Sequence, residues 1–193
     1  MPKVGMRKVR EDALIAAVIN VIHEKSFDGT TLRAIAKEAG ISPGLAHHYF
    51  PSKEKLLEAA IRSLLELLRT EVVAATKGIQ DPDERLRALI SANFSEKVVQ
   101  PKVVSAWLVF YVQARKYEGT NRLIRLYHRR LASNFTYICR AWTSDRKLAK
   151  RQGEAVAALI DGLWLRYGLN NQPILTENVA GEVEYFVRAM LNR

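Results

Sequence analysis

The chain has 193 residues, and 48% of them are hydrophobic, so it is long and apolar enough to bury a core and is not a disordered chain. Its formal net charge of +10 favours a polyanionic partner. The single cysteine, Cys139, excludes an intrachain disulfide framework. No apolar run is long enough to cross a bilayer, and the amino-terminal segment lacks the apolar core of a secretion signal, so we expect a cytoplasmic location.

The chain opens with a basic segment, residues 1–10, which leads into a helix predicted from about Val9 to Lys25. Basic arms before helix-turn-helix domains contact phosphates or the minor groove. Arg7 and Lys8 are the candidates for such a contact because they lie nearest the helix. A solvated tail explains the same basic residues equally well.

The stretch TTLRAIAKEAGISPGLAHHYFPSKEKL predicts two short helices separated by a tight turn. Thr30 or Thr31 is placed to cap the first helix, and Gly40 follows where a left-handed residue is expected. Ser42 is placed to cap the second helix, with Pro43 at its first position. Helix, short glycine-containing turn and helix form the helix-turn-helix pattern, whose second helix enters a DNA major groove.

The AGIS turn, the HYF ending of the second helix and the following PSKEKLL resemble the DNA-binding head of TetR-family repressors. The resemblance implies that the aromatic end of the recognition helix and the lysine after it contact phosphates. In this sequence those residues are His48, Tyr49 and Lys53. An ordinary helical hairpin would show the same periodicity without these motifs.

The recognition helix contains no Arg, Lys, Asn or Gln, the side chains that most often make bidentate contacts to bases. We therefore expect Ser42, His47, apolar contacts and a close backbone approach at Gly44 to read the DNA, with DNA shape contributing much of the specificity. Thr31, at a helix N-terminus, adds a phosphate contact through the backbone. The complete set of predicted DNA-binding residues is Arg7, Lys8, Thr31, Arg33, Ser42, Pro43, Gly44, Leu45, His47, His48, Tyr49 and Lys53.

The positive charge lies mostly outside this head. Residues 1–56 carry a net charge of +3, residues 57–114 of zero, residues 115–151 of +9 and residues 152–193 of −2. The basic segment at 115–151 is consistent with solvated helix faces. It also keeps open an alternative function as an architectural DNA-binding protein without sequence preference.

The rest of the chain has helical periodicity throughout and no strand alternation. A long helix from Ser52 to about Ala75 joins the head to the body. Further helices are predicted over residues 82–94, 102–117, 120–142, 147–170 and 176–191. The sequence therefore predicts an all-α protein of about nine helices. It predicts a DNA-binding domain over residues 1–52 and a ligand-binding and dimerisation domain over residues 53–193.

The last two helices are predicted to form a homodimer interface. Residues 154–169 are apolar almost all round, which requires burial on most sides. The last helix carries an apolar stripe at Val179, Val183, Phe186, Val187 and Met190. The TetR resemblance implies a four-helix bundle of these helices in a dimer, and a two-fold dimer reads the two half-sites of a pseudo-palindromic operator.

Aromatic residues in the body predict a ligand site. Trp107, Phe110 and Tyr111 share one helix face, and Trp164 follows Asp161 by three residues on another. Aromatic rings around a cation form the cage that quaternary ammonium ligands favour, and Asp161 or Glu96 would complement the charge. The predicted ligand-binding residues are Trp107, Phe110, Tyr111, Tyr127, Asp161 and Trp164, with Phe135 on the same helix as Tyr127. A plain hydrophobic core explains the stripe equally well.

The segments MPKVGM, NFSE, AWLVFY and ALIDGLWLR resemble the choline-responsive TetR-type repressors of glycine-betaine synthesis genes. The resemblance implies a repressor controlled by choline or a related quaternary ammonium compound. Other TetR-type regulators, which respond to different small molecules, carry similar segments. Nucleophile-elbow, phosphate-loop and metal-ligand patterns are missing from the sequence, so we expect no enzyme, cofactor or metal site. Adjacent His47 and His48 point about 100° apart on a helix and do not face one ion.

Overall fold

In the computed structural model, residues 3–169 and 176–190 are described, with side chains from residue 6 to 169 and from 179 to 190. These ranges form nine α-helices and contain no β-strand, which confirms the predicted all-α fold. The helices are α1 Lys3–Lys25, α2 Leu32–Glu38, α3 Pro43–Tyr49, α4 Lys53–Thr76, α5 Pro82–Asn93, α6 Pro101–Gln113, α7 Glu118–Cys139, α8 Arg146–Leu169 and α9 Thr176–Met190. No helix in the described ranges is long and apolar enough to span a membrane.

Local capping chemistry sets most helix starts where the sequence places them. The Thr31 hydroxyl accepts from the Ala34 N–H at 3.1 Å, and the Ser42 hydroxyl accepts from the Leu45 N–H at 3.3 Å. Asp81 caps α5 in the same way. Gly40 has φ +65°, the left-handed conformation that the helix-turn-helix turn requires. The predictions for Thr31, Gly40 and Ser42 are confirmed.

The start of α1 differs from the prediction. The helix begins at Lys3 instead of Val9, so Arg7 and Lys8 lie on a helix and not on an extended arm. The Arg7 guanidinium pairs with Glu11 one turn later at 2.7 Å, a spacing that supports helix. No proline separates Lys3 from Val9, and the single Gly5 does not end the helix.

The chain divides into two compact units. The first comprises Met1–Leu65 and Pro101–Ile124, and the second comprises Glu66–Gln100 and Arg125–Arg193. Helices α4 and α7 each contribute residues to both units. The predicted domains, residues 1–52 and 53–193, are a division by role and stay a prediction.

In the first unit, α1 packs against both α2 and α6, and α2 packs against α3. Leu14, Val18, Ile35 and Ala46 are fully buried and form the core of the helix-turn-helix head. At the end of α1, His23 Nδ1 lies 2.9 Å from the Ser105 hydroxyl of α6. Helix α6 is thus part of the same compact unit as the recognition helix.

In the second unit, α9 packs against α5 and α8. Helix α8 crosses α7 at Gly153, where an added Cβ would lie 2.5 Å from the backbone nitrogen of Thr136. Helix α8 begins at Arg146 because Asp145 caps it, accepting from the Lys147 N–H at 2.8 Å. On α9, Val179, Val183 and Val187 are buried as predicted. Phe186, predicted in the same stripe, is 40% exposed because it lies beside that stripe on the outward face.

Candidate nucleic-acid interface and effector residues

Helix α3 presents most of its surface to solvent. It is held to the head by Ala46, which is fully buried, and by the half-buried side chains of Leu45 and Tyr49. The remaining predicted contact residues of this helix and its cap are exposed: Ser42, Pro43, Gly44, His47 and His48. A helix of seven residues anchored on one side in this way leaves the opposite face available to a DNA groove.

The capping hydroxyls of Thr31 and Ser42 can each still donate a hydrogen bond. Ser42 and Thr31 each use an oxygen lone pair to accept a backbone N–H of their own helix. Each hydroxyl therefore keeps its hydrogen as a donor. A donor at a helix N-terminus suits a phosphate oxygen, since the unpaired N–H groups there add to the attraction.

Three of the side chains predicted to contact phosphate are basic residues of α1 and α2. Arg7, Lys8 and Arg33 are exposed. The pKa of Arg7 is raised, mainly by its hydrogen bond and charge interaction with Glu11 and in small part by Tyr49. The contribution of Tyr49 places Arg7 on the side of the first unit where α3 ends. His48 and Tyr49 meet edge to face, with ring centroids 5.6 Å apart.

Lys53, the first residue of α4, has partners that no sequence pattern predicts. Its ammonium nitrogen lies 3.7 Å from the centroid of the Phe27 ring. The same nitrogen donates to the Phe27 carbonyl oxygen at 3.4 Å. The two residues are 26 positions apart, and no local pattern signals their contact.

Three of the predicted effector residues lie together in the first unit, on α6. Trp107 is 6% exposed and Phe110 is fully buried, while Tyr111 is half-buried. The Trp107 ring is 6.2 Å from Phe110 and 6.1 Å from Tyr111, centroid to centroid. The rings thus form one aromatic cluster, as the spacing predicts.

The other three predicted effector residues lie in the second unit, and two of them are in contact. The Tyr127 hydroxyl donates to Asp161 Oδ1 at 2.8 Å. His128, which was not among the predicted residues, places Nε2 3.5 Å from the other carboxylate oxygen of Asp161. Asp161 is half-buried and therefore less screened by water than a surface carboxylate.

Trp164 belongs to the core of the second unit. Its ring stacks on Phe94 at 6.4 Å with an interplanar angle of 20°, and its indole N–H donates to the Asn93 carbonyl at 3.3 Å. Phe135, also mentioned as an aromatic of the body, is fully buried. Among the described residues, no group of three or more His, Cys, Asp or Glu side chains could hold a metal ion.

Helices α8 and α9 carry small and apolar side chains on an exposed face of the second unit. On α8 they recur at intervals of three and four residues, the spacing of one helix face: Ala155, Ala158, Gly162, Leu165 and Leu169. On α9, Tyr185 is 77% exposed and Phe186 is exposed beside it. We call these seven residues the α8–α9 face.

Comparison with known proteins identifies the family. Residues 14–60 match the bacterial regulatory proteins of the tetR family, and residues 82–192 match the C-terminal domain of BetI-type transcriptional repressors. The chain is 46% identical to the HTH-type transcriptional regulator BetI of Rhizobium meliloti over 99% of its own length and 94% of that protein. The chain is a TetR-family transcriptional repressor of the BetI type. Members of this family are transcriptional regulators and not enzymes.

Solved structures of TetR-type regulators share this fold. One is a TetR transcription regulator from Haloarcula marismortui, with a TM-score of 0.83 and 21% identity, covering 94% of this chain and 97% of that one. Another is a transcriptional regulator from Saccharomonospora viridis, whose structure is in complex with choline. It has a TM-score of 0.80 and 20% identity, with 92% of this chain and 95% of that chain covered. At these identities the likeness concerns the fold.

Proposed function

We propose that this TetR-family repressor binds a pseudo-palindromic DNA operator as a homodimer and is controlled by choline or a related quaternary ammonium ligand. The observation that carries the proposal is the exposed helix-turn-helix in a chain that matches BetI regulators over nearly its whole length. TetR-family regulators as a group bind DNA operators.

On the DNA side, α3 enters the major groove and the surrounding polar and basic residues contact phosphates. Because α3 lacks the usual base-reading side chains, phosphate contacts and DNA shape supply most of the binding energy. Lys53→Ala should weaken binding about equally on all sequences. It should also lower the salt slope by roughly 0.9 for each phosphate that the lysine no longer neutralises. If the unmodified protein binds all DNA sequences with the same weak affinity, the alternative of an architectural DNA-binding protein is favoured.

The homodimer forms through the α8–α9 face. An apolar face of this kind is costly to expose, and a second copy of the same face covers it. Gly162 contributes because an added Cβ there would meet no atom of the same chain within 4 Å, which leaves room for a partner helix. Leu165→Glu should convert the dimer to a monomer in sedimentation velocity experiments. Tyr137→Glu, a substitution of another exposed large side chain, on α7, should leave the dimer intact.

The ligand is a small organic cation. Asp161 supplies negative charge in the second unit, and Tyr127 orients its carboxylate through the 2.8 Å hydrogen bond. The aromatic cluster of α6 offers ring faces of the kind that bind quaternary ammonium groups. The choline-responsive repressors that the sequence resembles, and the choline complex of a protein with this fold, both support this class of ligand. The two sets of residues lie in different units and are tested separately.

Ligand control follows from linkage. A ligand weakens operator binding only if it binds the DNA-bound conformation less tightly, and the two effects are equal in free energy. Helix α4 carries the chain from the first unit into the second and is the candidate lever for such a change. The ligand must change the distance between the two recognition helices of the dimer.

The deciding experiment combines a thermal-shift screen with an operator titration. Choline, betaine, betaine aldehyde, carnitine and polyamines are tested as ligands. At 100 times its dissociation constant, a specific ligand adds about 2.7 kcal/mol to the stability. For a chain of this length, that gain raises the melting temperature by roughly 5–10 °C. Operator affinity that is unchanged at saturating choline would eliminate choline as the effector and leave a TetR-type regulator of another small molecule.

Matched variants test the two sets of ligand residues. Asp161→Asn keeps the shape of the side chain and removes its charge, so the choline-induced shift should disappear. Tyr127→Phe removes only the hydroxyl and should retain most of the shift. For the aromatic cluster, Tyr111→Leu is the test, since Tyr111 is less buried than its neighbours and its replacement damages the core least. A full choline shift in Tyr111→Leu would exclude Tyr111 from the site.

A further inference from the structure

The contact between Lys53 and Phe27 in the helix-turn-helix head has no evident role in folding. Lys53 is the first residue of α4, where the positive end of the helix dipole disfavours a cation. The neighbouring Glu54 does not neutralise it by an ion pair in the part of the chain that the structure describes. The pKa of Glu54 is lowered mainly by a hydrogen bond from Ser52 and by one from its own backbone, and only in the last place by the charge of Lys53. The start of the helix therefore does not favour a lysine, and the close contacts of the Lys53 ammonium are with Phe27.

The loop that carries Phe27 is fixed by its own hydrogen bonds. Ser26 ends α1 in a left-handed conformation with φ 57°. The hydroxyl of Thr30, which is fully buried, donates to the Ser26 carbonyl at 2.6 Å, and the Thr30 N–H donates to the Phe27 carbonyl at 3.2 Å. These hydrogen bonds fix the backbone from which the Phe27 ring extends.

We propose that Phe27 is a positioning residue for operator binding, which holds the Lys53 ammonium over its ring in the orientation that meets a DNA phosphate. The inference rests on the proposed phosphate contact of Lys53. A flexible lysine loses rotamer entropy when it is immobilised, and that loss opposes binding. A ring at 3.7 Å and a carbonyl at 3.4 Å restrict the side chain before DNA arrives.

The geometry leaves the ammonium able to act on DNA. An ammonium group has three N–H donors. One of them points to the Phe27 carbonyl oxygen, so the others remain for a phosphate oxygen while the charge stays over the ring. The ring contact is then kept in the complex, so Lys53 is already partly ordered when DNA binds, and removing the ring weakens DNA binding.

The experiment measures operator affinity by fluorescence anisotropy over a series of salt concentrations. Phe27→Leu keeps an apolar side chain and removes the ring face. We expect affinity to fall by about two- to fivefold per half-site, because the freed lysine must then lose rotamer entropy when it meets the phosphate. The salt slope should not change, because Lys53 still neutralises the phosphate. Phe27→Tyr, which retains a ring on this half-buried residue, should restore the affinity.

The control substitution is Phe50→Leu, which makes the same chemical change at another half-buried phenylalanine of the head. In the DNA-free protein, the Lys53 ε-methylene protons should lie upfield in NMR spectra because they face the Phe27 ring. This displacement should vanish in Phe27→Leu and persist in Phe50→Leu. A general loosening of the packing would not produce that difference.

A double-mutant cycle with Lys53→Gln separates the possible failures. If the ring acts through Lys53, Phe27→Leu has no further effect on affinity in the Lys53→Gln background. An equal effect in both backgrounds would show that the ring is only structural. Tighter binding in Phe27→Leu would show that the ring holds the ammonium away from DNA. Either result overturns the inference, whereas unchanged affinity and salt slope in Lys53→Gln would refute the underlying phosphate contact.

Discussion

A substitution at Gly44 in the recognition helix should affect folding and DNA binding in opposite directions. An added Cβ there would meet no atom of the chain within 4 Å, and the residue is exposed. Replacing a helical glycine by alanine stabilises a helix by up to about 1 kcal/mol. Because Gly44 lies in the first turn of α3, we expect the smaller part of this gain, about 0.5 kcal/mol. Gly44→Ala should therefore fold at least as well as the unmodified protein.

Operator binding should change in the opposite direction. If the α3 backbone approaches the bases at Gly44, a new methyl group must push the helix out of the groove. Poorly fitting groups of this size cost about 1–3 kcal/mol at a packed site. At the lower limit, two half-sites together weaken binding by about 2 kcal/mol. Since about 1.4 kcal/mol is a factor of ten, affinity should fall by roughly 30-fold or more.

The matched control is Gly40→Ala in the turn of the same motif. There too an added Cβ meets nothing within 4 Å, but φ is +65°. Alanine in this left-handed conformation costs about 1 kcal/mol, so Gly40→Ala should lose stability. Once corrected for the folded fraction, its operator affinity should be unchanged. Thermal unfolding and anisotropy titrations at one salt concentration provide both quantities. Unchanged operator affinity in Gly44→Ala would refute the close approach of the α3 backbone to DNA.

Three further predictions concern other parts of the chain. Gly153→Ala should destabilise the protein by about 2 kcal/mol, because the new methyl group meets the Thr136 backbone and forces α7 and α8 apart. Urea unfolding should show this as a lower midpoint. An unchanged midpoint would contradict the close crossing of the two helices. Burial raises the pKa of the Cys139 thiol to about 11 from its ordinary 9.0. Its contribution to stability is therefore fully present below pH 9 and is lost as the pH rises through 11, and alkylation of the native protein at pH 8 should be much slower than after unfolding. Arg7→Gln should lower the salt slope of operator binding by roughly 0.9 per phosphate contact. The control is Glu11→Gln, which removes the partner of Arg7 in the same surface ion pair and should leave the salt slope unchanged.

Features that depend on neighbours along the chain were predictable from the sequence. The caps at Thr31, Ser42 and Asp81 use a side chain and a backbone N–H three residues apart, so a short pattern contains all the information. The start of α1 was not predictable in this way, because the segment before Val9 offers no cap that would mark it. Periodicity established that a helix exists there but not where it begins.

Features that depend on packing between helices required the structure. The distance between Lys53 and Phe27 follows from how the loop after α1 meets the start of α4. The approach of His128 to Asp161 follows from the register of α7 against α8, which residue type does not encode. The stacking of Trp164 on Phe94 likewise follows from packing between helices, and the predicted ligand contact of Trp164 stays a prediction.

The position of α6 bears on how a small ligand could release DNA. A drop in operator affinity of about 100-fold requires a ligand that binds the DNA-free conformation about 100-fold more tightly, a difference of about 2.7 kcal/mol. That difference must arise from contacts that change between the two conformations. Trp107 and Tyr111 lie on α6, which packs directly on α1 in the same compact unit as the recognition helix. A ligand that contacts these rings therefore acts on the DNA-binding unit itself. In that case the coupling begins at contacts between α1 and α6, such as that of His23 with Ser105, and α4 is the candidate to carry it toward the second unit.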